Sequence, residues 1–252
     1  LSFYRELSFV AVLLLSALGA SAQAGADASI EVAVVRPHPP AVMHNNFSFA
    51  RNRFELEDQP LLKMIAFAYS LNPRQIVGAS GWVADDHWDM SGTTNLTEDA
   101  TLAQQQQIIR QLLVERFGLQ FHREKRELPS YALQIVKERP KLAAAADPAA
   151  QPLEWSQGHD SVRTENYRSS SIAYFLLVKQ LFMDRPLVDQ TGLAGLYDFK
   201  LTYSYGDAPD AAPDAPPPMF TAIKEQLGLK FEPVKASVDV MVIDHIGKPI
   251  AN

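Results

Sequence analysis

The sequence predicts an α+β fold built as two tandem, duplicated small units, each with about two helices packed on a small, mostly antiparallel sheet. Three observations predict it. First, Glu115-Arg116-Phe117-Gly118-Leu119-Gln120-Phe121 returns 110 positions later as Glu225-Gln226-Leu227-Gly228-Leu229-Lys230-Phe231. Second, His87-Trp88-Asp89-Met90 lies opposite Leu196-Tyr197-Asp198-Phe199 at an offset of 109, an aromatic-Asp-apolar step collinear with the first match. Third, helical spacing and strand-like alternation follow one another in the same order in both halves. Two unrelated helices ending in a common glycine stop are the competing explanation, and collinearity favours duplication.

The first unit is expected over residues 28–142. An apolar run at 30–35 ends at Pro37 and reads as a strand, and partial alternation over 47–56 reads as a second. Pro60 opens a helix at its first turn, where a missing N–H costs nothing. Leu61, Leu62, Ile65, Ala66 and Tyr69 fall at helical spacing, and Asn72-Pro73 ends the run. Short strands are expected at 75–78 and 87–91. Thr97 is a candidate N-cap with Glu98 and Asp99 in the first turn, where the helix dipole favours negative charge. Leu102, Ile109, Leu112, Leu113 and Phe117 form one stripe, and Gly118 stops the helix in the left-handed conformation. Residues 119–126 and 131–136 read as paired strands around Leu128-Pro129.

Residues 143–152 (AAAADPAAQP) read as a linker, and the second unit is expected over 153–252. It carries a strand at 162–167, a helix capped by Ser170 or Ser171, and a strand at 186–189. A tight turn at 191–195 leads into cleanly alternating residues 196–203. A Pro/Ala/Asp-rich loop at 207–218 reads as extended. A helix over 219–227 stopped by Gly228 and strands at 229–231 and 238–243 complete the chain.

Residues 1–22 read as a secretory signal peptide: Arg5, an apolar stretch at 9–18, then Ala20-Ser21-Ala22 as cleavage site. The apolar stretch is shorter than the roughly 20 residues a spanning helix needs. The expected location is therefore periplasmic or extracellular, with no transmembrane segment after cleavage. The chain has no Cys, so the fold must rest on its core, and 47% hydrophobic residues suffice for two ordinary domains. The net charge of −6 is unchanged by losing Arg5 and Glu6, and it disfavours nucleic acid as partner.

Catalytic motifs are scarce. Gly78-Ala79-Ser80-Gly81-Trp82 fails the nucleophile-elbow pattern because Trp82 holds the second glycine site. There is no thiol, no H-E-x-x-H and no Gly-rich phosphate loop. Asp85, Asp86, His87 and Asp89 could offer oxygen ligands to Ca²⁺, but the spacing lacks a calcium loop's glycine and distal Glu. An acidic turn entering a strand is favoured, so neither metal nor cofactor is expected. His122, Glu124 and Arg126 alternate onto one strand face. Asp244-His245 point to opposite faces if their strand continues. Asp189, Thr191 and Gly192 build a turn before Tyr197 and Asp198, and its tip is a candidate binding loop.

The chain resembles an uncharacterised family of exported proteins abundant in acidobacteria and defined by a domain of unknown function. The resemblance runs in order through EVAVVRP (31–37), PLLKMIAFAY (60–69), QIVGASGW (75–82), LLVERFGLQFHRE (112–124), LPSYAL (128–133) and residues 140–142. It continues through PLVDQTGLAGLYDF (186–199), FTAIKEQLGLKFE (220–232), VIDH (242–245), Lys248-Pro249 and Asn252. Ser80 and Trp88 depart from the family's usual Pro and Phe. The resemblance implies export but no activity or catalytic residue. Some relatives are joined to membrane zinc peptidases of the β-lactam-sensor type, which implies an extracytoplasmic sensing or interaction domain. The helix-Gly-Leu-strand units are loosely similar to the short domains at the periplasmic ends of secretins and TonB-dependent receptors.

The function expected is thus a non-catalytic extracytoplasmic module that binds an envelope protein, peptide or other envelope component. Its candidate binding residues are Asp189, Thr191, Gly192, Tyr197, Asp198, His122, Asp244 and His245. The alternative is a hydrolase drawing on His122, Glu124, Asp198, Asp244 or His245, which requires these groups to converge in one cleft.

Overall fold

The computed structural model describes residues 27–39, 45–79, 81–136, 140–159, 161–204 and 215–249, and shows how two helix-and-sheet layers are joined. The signal-peptide segment, Ser80, Asn252 and most of the Pro-rich loop lie outside the described residues. The first half runs β1 (Ile30–Pro37), β2 (Asn46–Ala50), β3 (Arg53–Pro60), α1 (Leu61–Tyr69), a 3₁₀ turn (Pro73–Gln75), β4 (Ile76–Val77), α2 (Trp82–Asp85), β5 (His87–Thr94), α3 (Leu102–Phe117) and β6 (Gln120–Ile135). The second half runs β7 (Ala143–Ala144), β8 (Leu153–His159), β9 (Val162–Ser170), α4 (Ile172–Gln180), β10 (Leu187–Asp189), β11 (Tyr197–Ser204), α5 (Met219–Ala222), a π-helical turn (Ile223–Leu227) and β12 (Leu229–His245). The strands form three small sheets, ordered β1-β5-β3-β2, β10-β6-β12-β4 and β7-β11-β9-β8. The expected α+β class is the observed one.

Local chemistry sets the element ends. Pro60 leads into α1, and Ser70 closes it in the left-handed region at φ 57°. Ser171 caps α4 by accepting the Tyr174 N–H. Gly118 and Gly228 stop their helices at φ 61° and 68°, where a side chain is strained. The start of α3 differs from expectation. Thr101, not Thr97, caps it, because Thr101 and Gln104 form a reciprocal capping box that Thr97 has no partner to make. Residues 47–56 are not one strand but the hairpin β2–β3, reversed at Arg51 (φ 52°) and Asn52. The first two residues of the expected linker, Ala143 and Ala144, are a strand paired with Asp198 and Tyr197.

The largest departure concerns the strands around the prolines. Residues 119–126 and 131–136 do not pair with each other. They are one 16-residue strand, β6, aligned antiparallel with the 17-residue β12 from Leu229↔Ile135 to His245↔Gln120. Pro129 and Pro233 do not break these strands. β10 pairs only with residues 131–133 of β6, and β4 only with Met241 and Val242 of β12. Each proline therefore stands where its strand has a free edge, and the missing N–H need not serve a second ladder.

Two cores result. Phe54, Leu56, Met64, Ile65, Ile108, Ile109, Leu112, Leu113 and Phe117 pack α1 and α3 onto the first sheet. Tyr167, Ile172, Phe175, Leu201, Ile223, Leu227, Leu229 and Phe231 do the same for α4 and α5 in the second half. Each large side chain so buried contributes about 1.5–3 kcal/mol. Between the cores, the buried Asn72 side chain shares its N–H groups among the carbonyls of Gln180, Met183 and Arg185 at 2.7, 2.9 and 3.2 Å. Gln180 returns a bond to Ser70 O at 2.8 Å. The halves are thus tied by buried polar groups as well as by β6–β12.

Candidate functional site

Three of the expected residues meet on the β6–β12 ribbon. His122 Nδ1 lies 2.8 Å from Asp244 Oδ1 and its Nε2 3.2 Å from Glu124 Oε1. Arg126 Nε donates to Glu124 Oε2 at 2.8 Å. The bonds from Glu124 and then Asp244 favour the imidazolium and raise the His122 pKa, while Arg126 and then His122 hold Glu124 below its usual value. The two carboxylates sit at opposite nitrogens of one ring, so they do not converge on a shared point. His122, Glu124 and Asp244 have half-exposed side chains, as an open strand surface gives and a reaction cleft does not.

The other expected residues are elsewhere. His245 is turned toward Gly118 and Gly247. Asp189 accepts the Thr191 N–H and hydroxyl at 2.8 and 2.7 Å, and Gly192 follows at φ 69°. Tyr197 and Asp198 open β11. The Asp198 carboxylate accepts the N–H groups of Ala146 and Ser169, both at 2.8 Å, and those bonds hold its pKa low. Asp89 does the same in the first half, accepting the Asp58 N–H at 3.1 Å. Asp58 and Ser169 both have positive φ (55° and 47°), so each aspartate satisfies the N–H of a left-handed residue at a strand irregularity.

Asp89 also meets His38 Nδ1 at 2.6 Å and Arg36 Nε at 3.2 Å, while His87 Nδ1 lies 2.5 Å from Asp58 Oδ1. Burial opposes ionisation of Asp89, and the bonds from His38, the Asp58 N–H and Arg36 together outweigh it, so its pKa is lowered. Asp86 pairs instead with Lys248 at 2.6 Å. The Asp85–Asp89 stretch therefore spreads in three directions, and among the described residues no three His, Asp or Glu side chains are arranged to hold a metal ion.

The densest chemistry lies in the second half. Glu165 on β9 and Lys179 on α4 form a buried ion pair, Lys179 Nζ donating to Glu165 Oε2. The Tyr167 hydroxyl donates to the same oxygen at 3.0 Å and the Tyr203 hydroxyl to Oε1 at 2.7 Å. Arg163 Nε lies 3.3 Å from Oε1 without aiming its N–H at it, and Arg163 also donates to Ser156 Oγ at 2.8 Å. Lys179 Nζ lies 5.0 Å from the Tyr203 ring centre and 5.8 Å from that of Phe175. Burial, then Glu165, pushes the Tyr167 hydroxyl far up, and Tyr203 moves the same way. Burial lowers the Lys179 pKa against the pull of Glu165. Burial and then Glu165 raise that of nearby Glu154, whose Oε1 is buried without a hydrogen-bond partner among the described residues.

This network floors a cleft of about 390 Å³. Arg163, Glu165, Lys179 and Tyr203 form its polar side, and Val178, Phe182, Met183 and Met219 its apolar side. The sequence carried a signal for it. Lys179 continues the helical stripe of Ile172, Phe175 and Leu176, and Glu165 alternates with Tyr167 onto the inward strand face, so both charges fall at core positions.

Among the described residues no helix is long and apolar enough to cross a membrane. No curated protein and no solved structure matches the chain. Residues 62–246, which hold the second core, the helices of the first, the β6–β12 ribbon and the cleft, match the family described as protein of unknown function, DUF3738, and the chain belongs to that family.

Proposed function

We propose that this protein is a non-catalytic extracytoplasmic binding module whose ligand site is the cleft floored by Glu165 and Lys179. The signal-like residues 1–22 and the likeness to exported acidobacterial proteins support the location. The observation that carries the site is the buried ion pair opening onto a cleft. A buried pair adds little net stability compared with apolar side chains of similar volume, so its presence beside a cleft points to recognition. Binding fits better than turnover, because the Glu165 carboxylate is already engaged by three hydrogen-bond donors, Lys179, Tyr167 and Tyr203, with the Arg163 guanidinium alongside.

We also propose that the two halves descend from one duplicated unit. The strand orders β1-β5-β3-β2 and β7-β11-β9-β8 follow the same sequence of elements. α1 and α4 are both nine residues long, and Asp89 and Asp198 fill the same structural role.

The test is an amide NMR titration of the mature chain, residues 23–252, with solubilised envelope fractions. Shifts gathered at 178–183 and Ser204 are expected. Shifts confined to His122 and Asp244, with a hydrolytic activity lost in His122→Ala, would replace this reading with the hydrolase.

A further inference from the structure

The donors and acceptors around the cleft are unequal. Glu165 receives Lys179 and Tyr167 on one oxygen and Tyr203 on the other, while Arg163 Nε stands 3.3 Å away without donating to it. An ammonium group carries three N–H donors, and among the described residues Glu165 is the hydrogen-bond acceptor of Lys179. The Arg163 guanidinium likewise has five N–H donors, with Ser156 Oγ and Glu165 as its polar neighbours. Two cations thus face one carboxylate in the lining. Glu154 is not among the residues that line the cleft.

The apolar side is equally specific. Phe182 is 71% exposed at the mouth, beside Val178, Met183 and Met219. The corresponding residue after α1 is Leu71, which is 5% exposed. The fold therefore buries this position in one half and presents a larger aromatic side chain to solvent in the other.

Resting on the site assignment above, we infer that the cleft binds a monoanionic amphiphile: an apolar body ending in a carboxylate. The carboxylate takes the spare N–H donors of Arg163 and Lys179, and the body lies along Val178, Phe182 and Met183. A cleft of about 390 Å³ is at the small end of ligand pockets, so the body holds on the order of ten carbon atoms. A cation is disfavoured by the two positive groups, and a neutral chain leaves their donors unmet.

The experiment titrates the mature chain with hexanoate, octanoate, decanoate, decanol and decylammonium, each below its micelle concentration, by amide NMR and calorimetry. Decanoate is expected to shift the amides of 178–183 and Ser204. Affinity should rise about fourfold per added methylene, the value of full apolar burial. Arg163→Gln should weaken decanoate binding at least tenfold while leaving the amide spectrum of the first half unchanged. Phe182→Ser, at an exposed position that folding does not need, should flatten the chain-length trend.

Decanol binding as tightly as decanoate, a preference for decylammonium, or undiminished binding by Arg163→Gln would overturn the anion assignment and leave the cleft as the site. Silence of all five probes at these amides would overturn the amphiphile altogether. The site assignment then fails only if envelope fractions also leave 178–183 unshifted.

Discussion

The two helix-on-sheet layers share a frame and differ in what fills it. In the first, Phe54 pairs with Gly92 and Leu56 with Met90; in the second, Glu165 pairs with Leu201 and Tyr167 with Phe199. The eighth residue of the covering nine-residue helix is Ala68 in one and Lys179 in the other, both buried. One layer is sealed by hydrocarbon and the other by an ion pair with two tyrosines. At the positions equivalent to Glu165, Tyr167 and Lys179 the first frame closes with Phe54, Leu56 and Ala68, which supports the proposal that the ionic network serves more than folding. The cleft of about 390 Å³ lies beside this network.

Removing one charge should break that comparison hardest. Lys179→Met strands Glu165 in the core and is expected to cost about 3–5 kcal/mol in urea unfolding. Replacing the whole set by Glu165→Leu, Tyr167→Phe, Lys179→Met and Tyr203→Phe imitates the first layer and leaves only the part-exposed Arg163 without its carboxylate. That variant is expected to be no less stable than the parent. A quadruple variant as damaged as the single would mean that the second frame depends on its charges.

The first layer has its own point of failure. A Cβ on Gly92 would sit 2.1 Å from Val32 O and 2.7 Å from the Phe54 ring. Gly92→Ala is therefore expected to cost about 3 kcal/mol, the upper range of overpacking. Phe54→Leu in the same chain should recover only part of this, because the backbone clash with Val32 remains. Full recovery would place the strain in the ring rather than in the β1–β5 spacing.

Where the layers are alike, their responses should match. Gly118→Ala and Gly228→Ala each force a side chain into the left-handed region and should each cost about 1 kcal/mol. The smallest effect is expected in acid. Asp89 and Asp198 have folded pKa values below their ordinary 3.8. Their stabilising contribution is present above the unfolded pKa and is lost as pH falls through the lower folded value. Asp89→Asn and Asp198→Asn should each flatten the fall in urea midpoint below about pH 4. An unchanged acid slope in both would remove the shared bridging role.

Much of this frame could be read from residue order. Glycine stops, the Ser171 cap, the α1 spacing and most strands follow local chemistry, and local chemistry is written in neighbouring residues. What could not be read was long-range. Nothing near Pro129 or Pro233 reveals that β6 and β12 pair with each other along their whole length, because proline tolerance depends on which edge is free. Thr97 satisfied the composition of a cap, yet Thr101 had the reciprocal Gln104. The site was partly legible. His122, Glu124 and Asp244 do meet, but on an open surface. Glu165 and Lys179 each violate an apolar pattern, a signal that gains meaning only once β9 and α4 are known to face each other.

The central claim is that the ionic network serves the cleft and not the fold. It is tested most directly by measuring urea stability on the quadruple variant, and decanoate binding on the same variant with Arg163→Gln added, which removes both proposed carboxylate donors. Stability at or above the parent with binding weakened at least tenfold is the predicted result. Undiminished binding, or a stability loss like that of Lys179→Met alone, would contradict it.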